Sequence, residues 1–309
     1  MIRYTAARLL QAIPVLLVVA TVTFALLRLL PGGPFDREKA LPPVILANIE
    51  ARYHLDEPVA RQYARYLAGL VRGDFGPSYK YPGRDVADIL RDSFPVSIQL
   101  GAAALVLAML LGVGAGLAAG MRAGTLQDRA IIGLTLLGIS VPSFVLGAAL
   151  VLGVALRFGW PPAGLWESPA YALLPALTLA AFPTAYIAQL TRTSVIEVAG
   201  RDFVRTARAK GVSEARVRWV HVLRNALLAV VTYFGPLLAM LLTGSFVVEQ
   251  IFAIPGMGRF FVTAVTNRDY PLVMGVTLVY AALIVLSNLA VDLVYGWLDP
   301  RIRLAGDES

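Results

Sequence analysis

Long apolar stretches alternate with short polar ones along most of this chain. A run of about 20 apolar residues is long enough to cross the hydrocarbon core of a bilayer as a helix. Ten-residue blocks of strand-like alternation, which mark a membrane barrel, do not occur in the pattern. The pattern therefore predicts an all-α integral membrane protein with six spans, at roughly residues 9–30, 96–120, 130–156, 171–190, 226–248 and 272–298.

Composition supports this class. Of the 309 residues, 58% are hydrophobic and 15% are charged, whereas about a quarter of a soluble domain is charged. Cysteine is absent and His54 and His221 are the only histidines, so we expect no disulfide framework and no metal site. The first apolar run exceeds a signal-peptide core and has no small-residue cleavage site, which predicts a retained first helix.

Basic residues predict the orientation, because short cytoplasmic loops collect lysine and arginine. With the N-terminus inside, the internal segments hold two basic residues before the first span, two between residues 121 and 129, eight in the loop 192–224 and two in the tail. The short external loops and the outer helix ends hold only four, Arg28, Arg157, Arg259 and Arg268. We therefore expect both termini to be cytoplasmic.

The segment after the first span is long, and its charges balance at nine basic and nine acidic residues. It contains two prolines at a helix start, Pro42 and Pro43, followed by amphipathic patterns at Val59, Tyr63, Tyr66, Leu67 and Leu70 and then at Val86, Ile89 and Leu90. These patterns predict a folded external insertion. The predicted organisation is a first span within 1–30, an insertion at 31–94, a core at 95–298 and a tail at 299–309.

The cytoplasmic loop 192–224 holds eight basic residues against three acidic ones. A nucleic-acid surface would be larger and interleaved with aromatic residues, so we expect no nucleic-acid partner. Arginines that only fix topology would explain the sign of this charge, but neither the length of the loop nor its internal pattern.

The pattern within this loop is two short helices joined at Gly211. A helix over 203–210 is expected to end there in the left-handed region, and Ser213 is a good N-cap for the next helix. Val212 and Val217 are spaced as a hydrophobic staple, after which an apolar stripe is expected at Val217, Val220 and Leu223. This pattern predicts a rigid cytoplasmic protrusion.

Here the chain resembles a known family. "RTARAKG" followed by "HVLRNAL" is similar to the EAA loop of ABC importer permeases, which reads E-A-A-x-x-x-G, nine residues, I-x-L-P. Arg205 and Thr206 replace the Glu and the first Ala, while His221 and Arg224 replace the Ile and the Pro. This variant resembles that of peptide importer permeases of the Dpp/Opp type. The resemblance extends over the chain through the blocks "RLLPGGPF", "GDFGPSYKY", "SVPSFV", "GSFVVEQIFAIPGMG", "NRDYPLV" and "DPRIR". The first two blocks, before the second span, resemble in particular the oligopeptide permease, the subunit with a long first periplasmic loop.

The resemblance implies the membrane subunit of an oligopeptide importer in a bacterial inner membrane. Its partners would be a second homologous permease, two cytoplasmic ATPases that hold ATP and magnesium, and an extracytoplasmic peptide-binding protein. The insertion would contact that binding protein, or it would only pack over the mouths of the spans. The residues expected to couple to an ATPase are Arg205, Thr206, Ala207, Arg208, Lys210, Gly211, Ser213, Glu214 and Arg218. The chain has no G-x-x-x-x-G-K-[ST] motif, so we expect neither catalytic residues nor a cofactor of its own.

Polar and helix-breaking residues inside the spans are candidates for a gate or pathway. They are Pro142, Pro236, Glu249, Asn288 and Asp292. The prolines, including Pro175 and Pro183, are either moving hinges or fixed bends, and the carboxylates are either functional or structural. Gly112, Gly116 and Gly120 recur every four residues, which predicts close helix packing.

Three alternatives to oligopeptide import stay open at this point. The first is an ABC permease for another solute, such as a dipeptide or nickel. The second is an ion-coupled secondary transporter, which would need midplane ion ligands and internal repeats. The third is a membrane scaffold that transports nothing, which kinked spans and a structured protrusion disfavour.

Overall fold

A computed structural model describes residues 2–35, 43–159, 163–242 and 246–298. Pro42, the tail 299–309 and its "DPRIR" block lie outside the described residues. Nearly all of the described chain is helical. Pro77 and Asp85 form an isolated antiparallel β-bridge.

Fourteen α-helices follow one another along the described chain. Their bounds are α1 Ile2–Leu29, α2 Pro43–Arg52, α3 Val59–Val71, α4 Val86–Gly120, α5 Leu126–Ser140, α6 Ser143–Leu150, α7 Leu156–Phe158, α8 Leu173–Ala199, α9 Asp202–Ala209, α10 Glu214–Arg216, α11 Arg224–Leu242, α12 Phe246–Ile251, α13 Met257–Asn267 and α14 Tyr270–Leu298. π-Helical segments occupy Val151–Ala155 and Val217–Leu223, and a 3-10 turn occupies Pro169–Ala172.

Five helical stretches in the described residues are long and apolar enough to cross a membrane. The third predicted span, 130–156, is wrong as a single helix. It consists of α5 and the helices after Ser143, which are bent by 103° at the break between them. Val141 there is extended, with ψ 121°, because a residue before proline is disfavoured in the helical region. Counted as one span, the bent pair gives six.

The helix that contains the second predicted span begins ten residues before that span. The short pattern at Val86, Ile89 and Leu90 is the first part of α4, which runs without interruption from Val86 to Gly120. Pro95 lies inside this helix, where it removes a backbone donor but does not end the helix.

The chain divides into two compact units, residues 1–97 with 255–289, and residues 98–254 with 290–309. In the first unit, the start of α4 packs with α13 and α14 around Ile89, Met257 and Leu272, all of them fully buried. In the second unit, α8 is the central helix and contacts α5, α6, α11 and α12.

The glycines of α4 confirm the predicted close packing. A Cβ atom added to Gly112 would lie 2.8 Å from Ile187, and one added to Gly116 would lie 2.5 Å from the carbonyl oxygen of Ala188. Gly120 would likewise approach Val195, at 2.7 Å. A side chain at these positions would therefore push α4 away from α8.

A buried carboxylate fastens the insertion within the first unit. Asp269 precedes α14, is fully buried and accepts hydrogen bonds from the Ser78 hydroxyl and from the backbone N–H groups of Tyr79 (3.1 Å) and Lys80 (3.3 Å). It also accepts from the N–H of Leu272 at 3.4 Å, as an N-cap of α14 does. We call Asp269 with residues 78–80 the Asp269 latch.

Candidate coupling site

The turn at Gly211 joins α9 to α10 in the predicted geometry. Gly211 has φ +77°, its N–H bonds to the carbonyl oxygen of Arg208 at 2.9 Å, and the N–H of Val212 bonds to that of Ala207 at 3.2 Å. This pair of bonds is a Schellman motif, which closes the end of a helix with a left-handed residue. The predicted helix end is confirmed, while its role in coupling stays a prediction.

The second helix begins where the sequence predicted, but with a different periodicity. Ser213 is at the N-cap of α10, although its side chain makes no capping hydrogen bond. The predicted stripe of Val217, Val220 and Leu223 is wrong at Val220, which is 45% exposed, while Val222 is fully buried. The cause is the π-helical segment Val217–Leu223, whose wider turn brings residues five apart onto one face.

Apolar side chains anchor these helices to the second unit. Val204, Ala207, Val217, Val222 and Leu223 form a buried cluster with Leu117 and Val195 of the long helices. Val212 packs against the same cluster, as the predicted staple with Val217 requires. We call residues 202–223 the coupling protrusion.

Charged side chains cross the turn on the outside of the protrusion. The Arg208 Nε donates to Glu214 Oε1 at 2.8 Å, so that an ion pair links α9 to α10. Arg218 Nε donates to the carbonyl oxygen of Glu214 at 3.3 Å. Arg205 approaches Asp202 only at 3.9 Å and is largely exposed. Trp219 and Phe203 are also exposed, so the outer surface offers aromatic and cationic groups together, the types enriched in protein interfaces.

An ion pair that was not predicted joins the first turn of α5 to α8. Asp128 is 2% exposed, and its two carboxylate oxygens accept from Arg192 Nε at 2.6 Å and from a terminal nitrogen of the same guanidinium at 2.7 Å. It also accepts from the N–H of Gly124 at 2.8 Å. A signal was present in the sequence, because Thr125 caps α5 with Asp128 three residues later, which is a capping-box spacing.

The candidate gate residues lie at the break before α6 and in the helices α11, α12 and α14. Pro142 is at the break between α5 and α6 and lines an apolar cavity of about 370 Å³ with Phe182, Met240 and Phe246. Pro236 is exposed within α11. Glu249 is fully buried in α12 and does not line this cavity, although Phe246 of the same helix does.

The other two gate candidates lie one turn apart on α14, where Asn288 is exposed and Asp292 is partly buried. Of the prolines, Pro175 is in the first turn of α8 and Pro183 is in its interior. A role of these residues in a pathway stays a prediction. Within the described residues, no group of three histidine, cysteine or carboxylate residues is placed to hold a metal ion.

Curated relatives match almost the whole chain. It is 45% identical over 304 residues to the dipeptide transport system permease protein DppB of Bacillus subtilis, covering 98% of this chain and 99% of that protein. It is also 45% identical over 305 residues to the oligopeptide transport system permease protein OppB of Escherichia coli K12, covering 98% and 100%.

Solved structures share the fold at low sequence identity. The chain resembles the MetNI methionine ABC transporter in inward-facing conformations, with a TM-score of 0.56 and 18% identity over 68% of this chain and 96% of that chain. An amino acid ABC transporter gives a TM-score of 0.51 with 17% identity over 67% and 92%. At this identity the likeness concerns the fold alone.

Two family models account for nearly all residues. Residues 1–101 match the N-terminal component of binding-protein-dependent transport system membrane proteins, and residues 108–304 match the inner membrane component itself. Together with the relatives and the helical fold, these matches identify the chain as a multi-pass membrane subunit and not as an ATPase. The chain belongs to the family of binding-protein-dependent transport system inner membrane components.

Proposed function

We propose that this chain is one of two permease subunits of an ATP-driven peptide importer and that the coupling protrusion binds a cytoplasmic ATPase. The observation that carries the second part is the closed two-helix turn at Gly211, anchored by buried valines and crossed by the Arg208–Glu214 ion pair. A rigid element of this kind can transmit a movement of the ATPase to the membrane helices, whereas a flexible linker could not.

Peptide as the substrate is supported by the two relatives at 45% identity. One of them is named for dipeptides and the other for oligopeptides, and they are equally similar to this chain. Dipeptide import is therefore the second candidate, beside the oligopeptide import that the sequence blocks indicated.

In the proposed arrangement both termini and the coupling protrusion are cytoplasmic, and the insertion is periplasmic. A second, homologous permease supplies the other half of the pathway, two ATPases bind ATP and magnesium, and a binding protein delivers the peptide. Closure of the ATPases then moves the coupling protrusion and, through its buried contacts with α4 and α8, tilts the spans.

Reconstitution tests the proposal directly. Proteoliposomes with this chain, its permease partner and both ATPases are expected to take up a labelled tripeptide and a labelled dipeptide in the presence of ATP and binding protein. The chain alone is expected to take up neither, with ATP or with an ion gradient. Uptake by the chain alone under an ion gradient would establish the secondary-transporter alternative instead.

Gly211→Asp tests the coupling role. The space around Gly211 is open, so an added side chain costs only about 1 kcal/mol of backbone strain and the chain should still insert. It would nevertheless place a charged group on the tip of the coupling protrusion. We expect peptide uptake to fall at least about tenfold, because a loss of only 1.4 kcal/mol in an interface is already a factor of ten.

Gly83→Asp is the matched control, since Gly83 also has positive φ (+78°) and open surroundings but lies in the insertion. It carries the same strain and the same new charge away from the protrusion. Normal uptake by Gly211→Asp, or an equal loss in both variants, would contradict ATPase binding through the coupling protrusion.

A further inference from the structure

A cavity of about 350 Å³ lies within the first unit, beside the last turn of α1. Its walls come from that turn, from residues 52–54 at the end of α2, from α3, from the loop after α3 and from the first turn of α14. This volume is at the lower end of the range in which proteins hold small organic ligands. Nothing in the coupling role uses this cavity.

Aromatic rings form much of the cavity wall and hold one another in place. Tyr53 and Tyr79 have ring centres 4.7 Å apart, Phe24 lies 6.5 Å from Tyr66, and Tyr79 lies 6.3 Å from Tyr270. Rings packed in this way form a preformed surface for an apolar chain or ring.

Arg28 supplies a positive charge to this aromatic wall. Its guanidinium carbon lies 5.3 Å from the centre of the Phe24 ring and 5.7 Å from that of Tyr270. A terminal nitrogen donates to the side-chain oxygen of Gln62. The Gln62 amide in turn donates to the carbonyl oxygens of Leu55 (3.1 Å) and Glu57 (2.7 Å), which fixes its oxygen toward Arg28.

No carboxylate pairs with Arg28 among the residues that the structure describes. Asp74 also lines the cavity, but its Oδ1 accepts a hydrogen bond from the N–H of Gly76 at 2.8 Å. This bond stabilises the turn at residues 74–76. Arg52 and Arg65 are the other arginines in the wall, and Arg65 is paired with Glu57 at 2.5 Å. A guanidinium has five N–H donors, and a partly buried charge is stabilised by an anion that accepts from them.

Tyr66 adds a second polar group to the same cavity. Its hydroxyl is buried and has no hydrogen-bond partner within the described chain. Burial raises the pKa of Tyr66 above its ordinary range, so the hydroxyl stays protonated and can donate. Buried hydroxyls nearly always have a hydrogen-bond partner in proteins, so an oxygen atom of a ligand would fit at this position.

We propose that this cavity binds an amphiphilic anion, whose carboxylate or phosphate accepts from Arg28 and Tyr66 while its apolar part lies against the aromatic wall. The favoured source is an acidic phospholipid of the surrounding bilayer. Arg28 is in the last turn of a predicted span, and the neighbouring Leu26 and Leu29 are 59% and 78% exposed, as lipid-facing residues are. The other source is a fatty carboxylate from solution.

Native mass spectrometry of the full chain in neutral detergent tests this, using three probes: dioleoylphosphatidylglycerol, dioleoylphosphatidylcholine and dodecanoate. We expect one phosphatidylglycerol to bind saturably and more tightly than phosphatidylcholine. Arg28→Gln should weaken that binding about tenfold or more, and Tyr66→Phe about threefold, as expected for loss of a charged and of a neutral hydrogen bond. Arg157→Gln, at an exposed arginine in the last turn of α7, is the control and should leave the affinity unchanged.

Each outcome decides the matter. Dependence on Arg28 for dodecanoate alone would keep the site and assign it to a soluble ligand. The proposal would be overturned if the two phospholipids bind equally well, if neither variant changes their binding, and if dodecanoate binding does not depend on Arg28. Tyr66→Phe should also melt like the unmodified chain, which shows that the variant is folded. The assay contains neither ATPase nor ATP, so its result is independent of the proposed transport function.

Discussion

The coupling protrusion and the Asp269 latch are two ways of holding a non-spanning segment in place. The coupling protrusion is anchored by apolar side chains underneath, and its charged groups lie at the surface, where the Arg208–Glu214 pair is largely exposed. The Asp269 latch is the reverse, with a fully buried carboxylate that receives hydrogen bonds from residues 78–80. An apolar base leaves the polar surface available to bind a partner. A buried carboxylate, in contrast, accepts its hydrogen bonds from groups of the same chain.

We expect the largest effect when the labelling of single cysteines is compared between the two sides of the membrane. The chain has no cysteine, so single cysteines can replace Ser213 in the coupling protrusion and Ser168 before α8, both exposed. A membrane-impermeant maleimide applied to intact spheroplasts should label Ser168→Cys fully and Ser213→Cys only after permeabilisation. Labelling of Ser213→Cys from outside would reverse the orientation and exclude a cytoplasmic partner for the coupling protrusion.

The next effect concerns the Asp269 latch. Asp269→Ala leaves the buried Ser78 hydroxyl and the partly buried Tyr79 N–H without their acceptor, whereas the Lys80 N–H still donates to the Ser78 hydroxyl oxygen at 3.2 Å. This loss should lower the free energy of unfolding by about 3 kcal/mol. A lower melting temperature and faster proteolysis between residues 72 and 84 would report this loss. Asp269→Asn retains an acceptor oxygen and should lose less.

Asp92→Ala removes an exposed carboxylate that pairs with Arg84 at 2.5 Å. Because exposed pairs contribute little, this control should melt like the unmodified chain. Equal effects of Asp269→Ala and Asp92→Ala would mean that the buried carboxylate does not hold the insertion.

A smaller effect separates the two valines of the π-helical segment. Val222→Ala removes two buried methyl groups from the base of the coupling protrusion and should cost about 2 kcal/mol. Val220→Ala, two residues earlier but exposed, should change stability by less than about 0.5 kcal/mol. Thermal melting of both variants distinguishes the π-helical segment from a regular α-helix, since the regular helix would bury Val220 and reverse the order.

The smallest effect is expected at the surface of the coupling protrusion. Arg208→Ala removes an exposed ion pair and should leave the melting temperature unchanged. Peptide uptake by the assembled importer should fall only about twofold, because the buried base still fixes α9 and α10. The charge reversal Arg208→Glu with Glu214→Arg should restore uptake if the pair acts within the chain. A lasting defect in the double variant would instead place Arg208 against the ATPase.

Much of the coupling protrusion was predictable because its geometry is encoded locally. Gly211 is where a left-handed residue is least costly, and the Val212–Val217 spacing places two apolar groups across one turn. The apolar face beyond Val217 was not predictable, because π-helical geometry at Val217–Leu223 depends on what the helix packs against. The break before Pro142 could have been read from the Val141–Pro142 pair, but the angle of 103° could not.

The membrane class, the approximate spans and the turn at Gly211 were predictable from the sequence. Each of these depends on residues close together in the chain, through apolar length, helical period or one backbone angle. Which distant polar groups meet depends on how the helices pack. Asp128 pairs with Arg192 across 64 residues, and Asp269 binds backbone and hydroxyl groups of residues 78–80 across about 190. Isolated carboxylates in the sequence look alike, and burial beside particular donors is what distinguishes these two from the exposed ones.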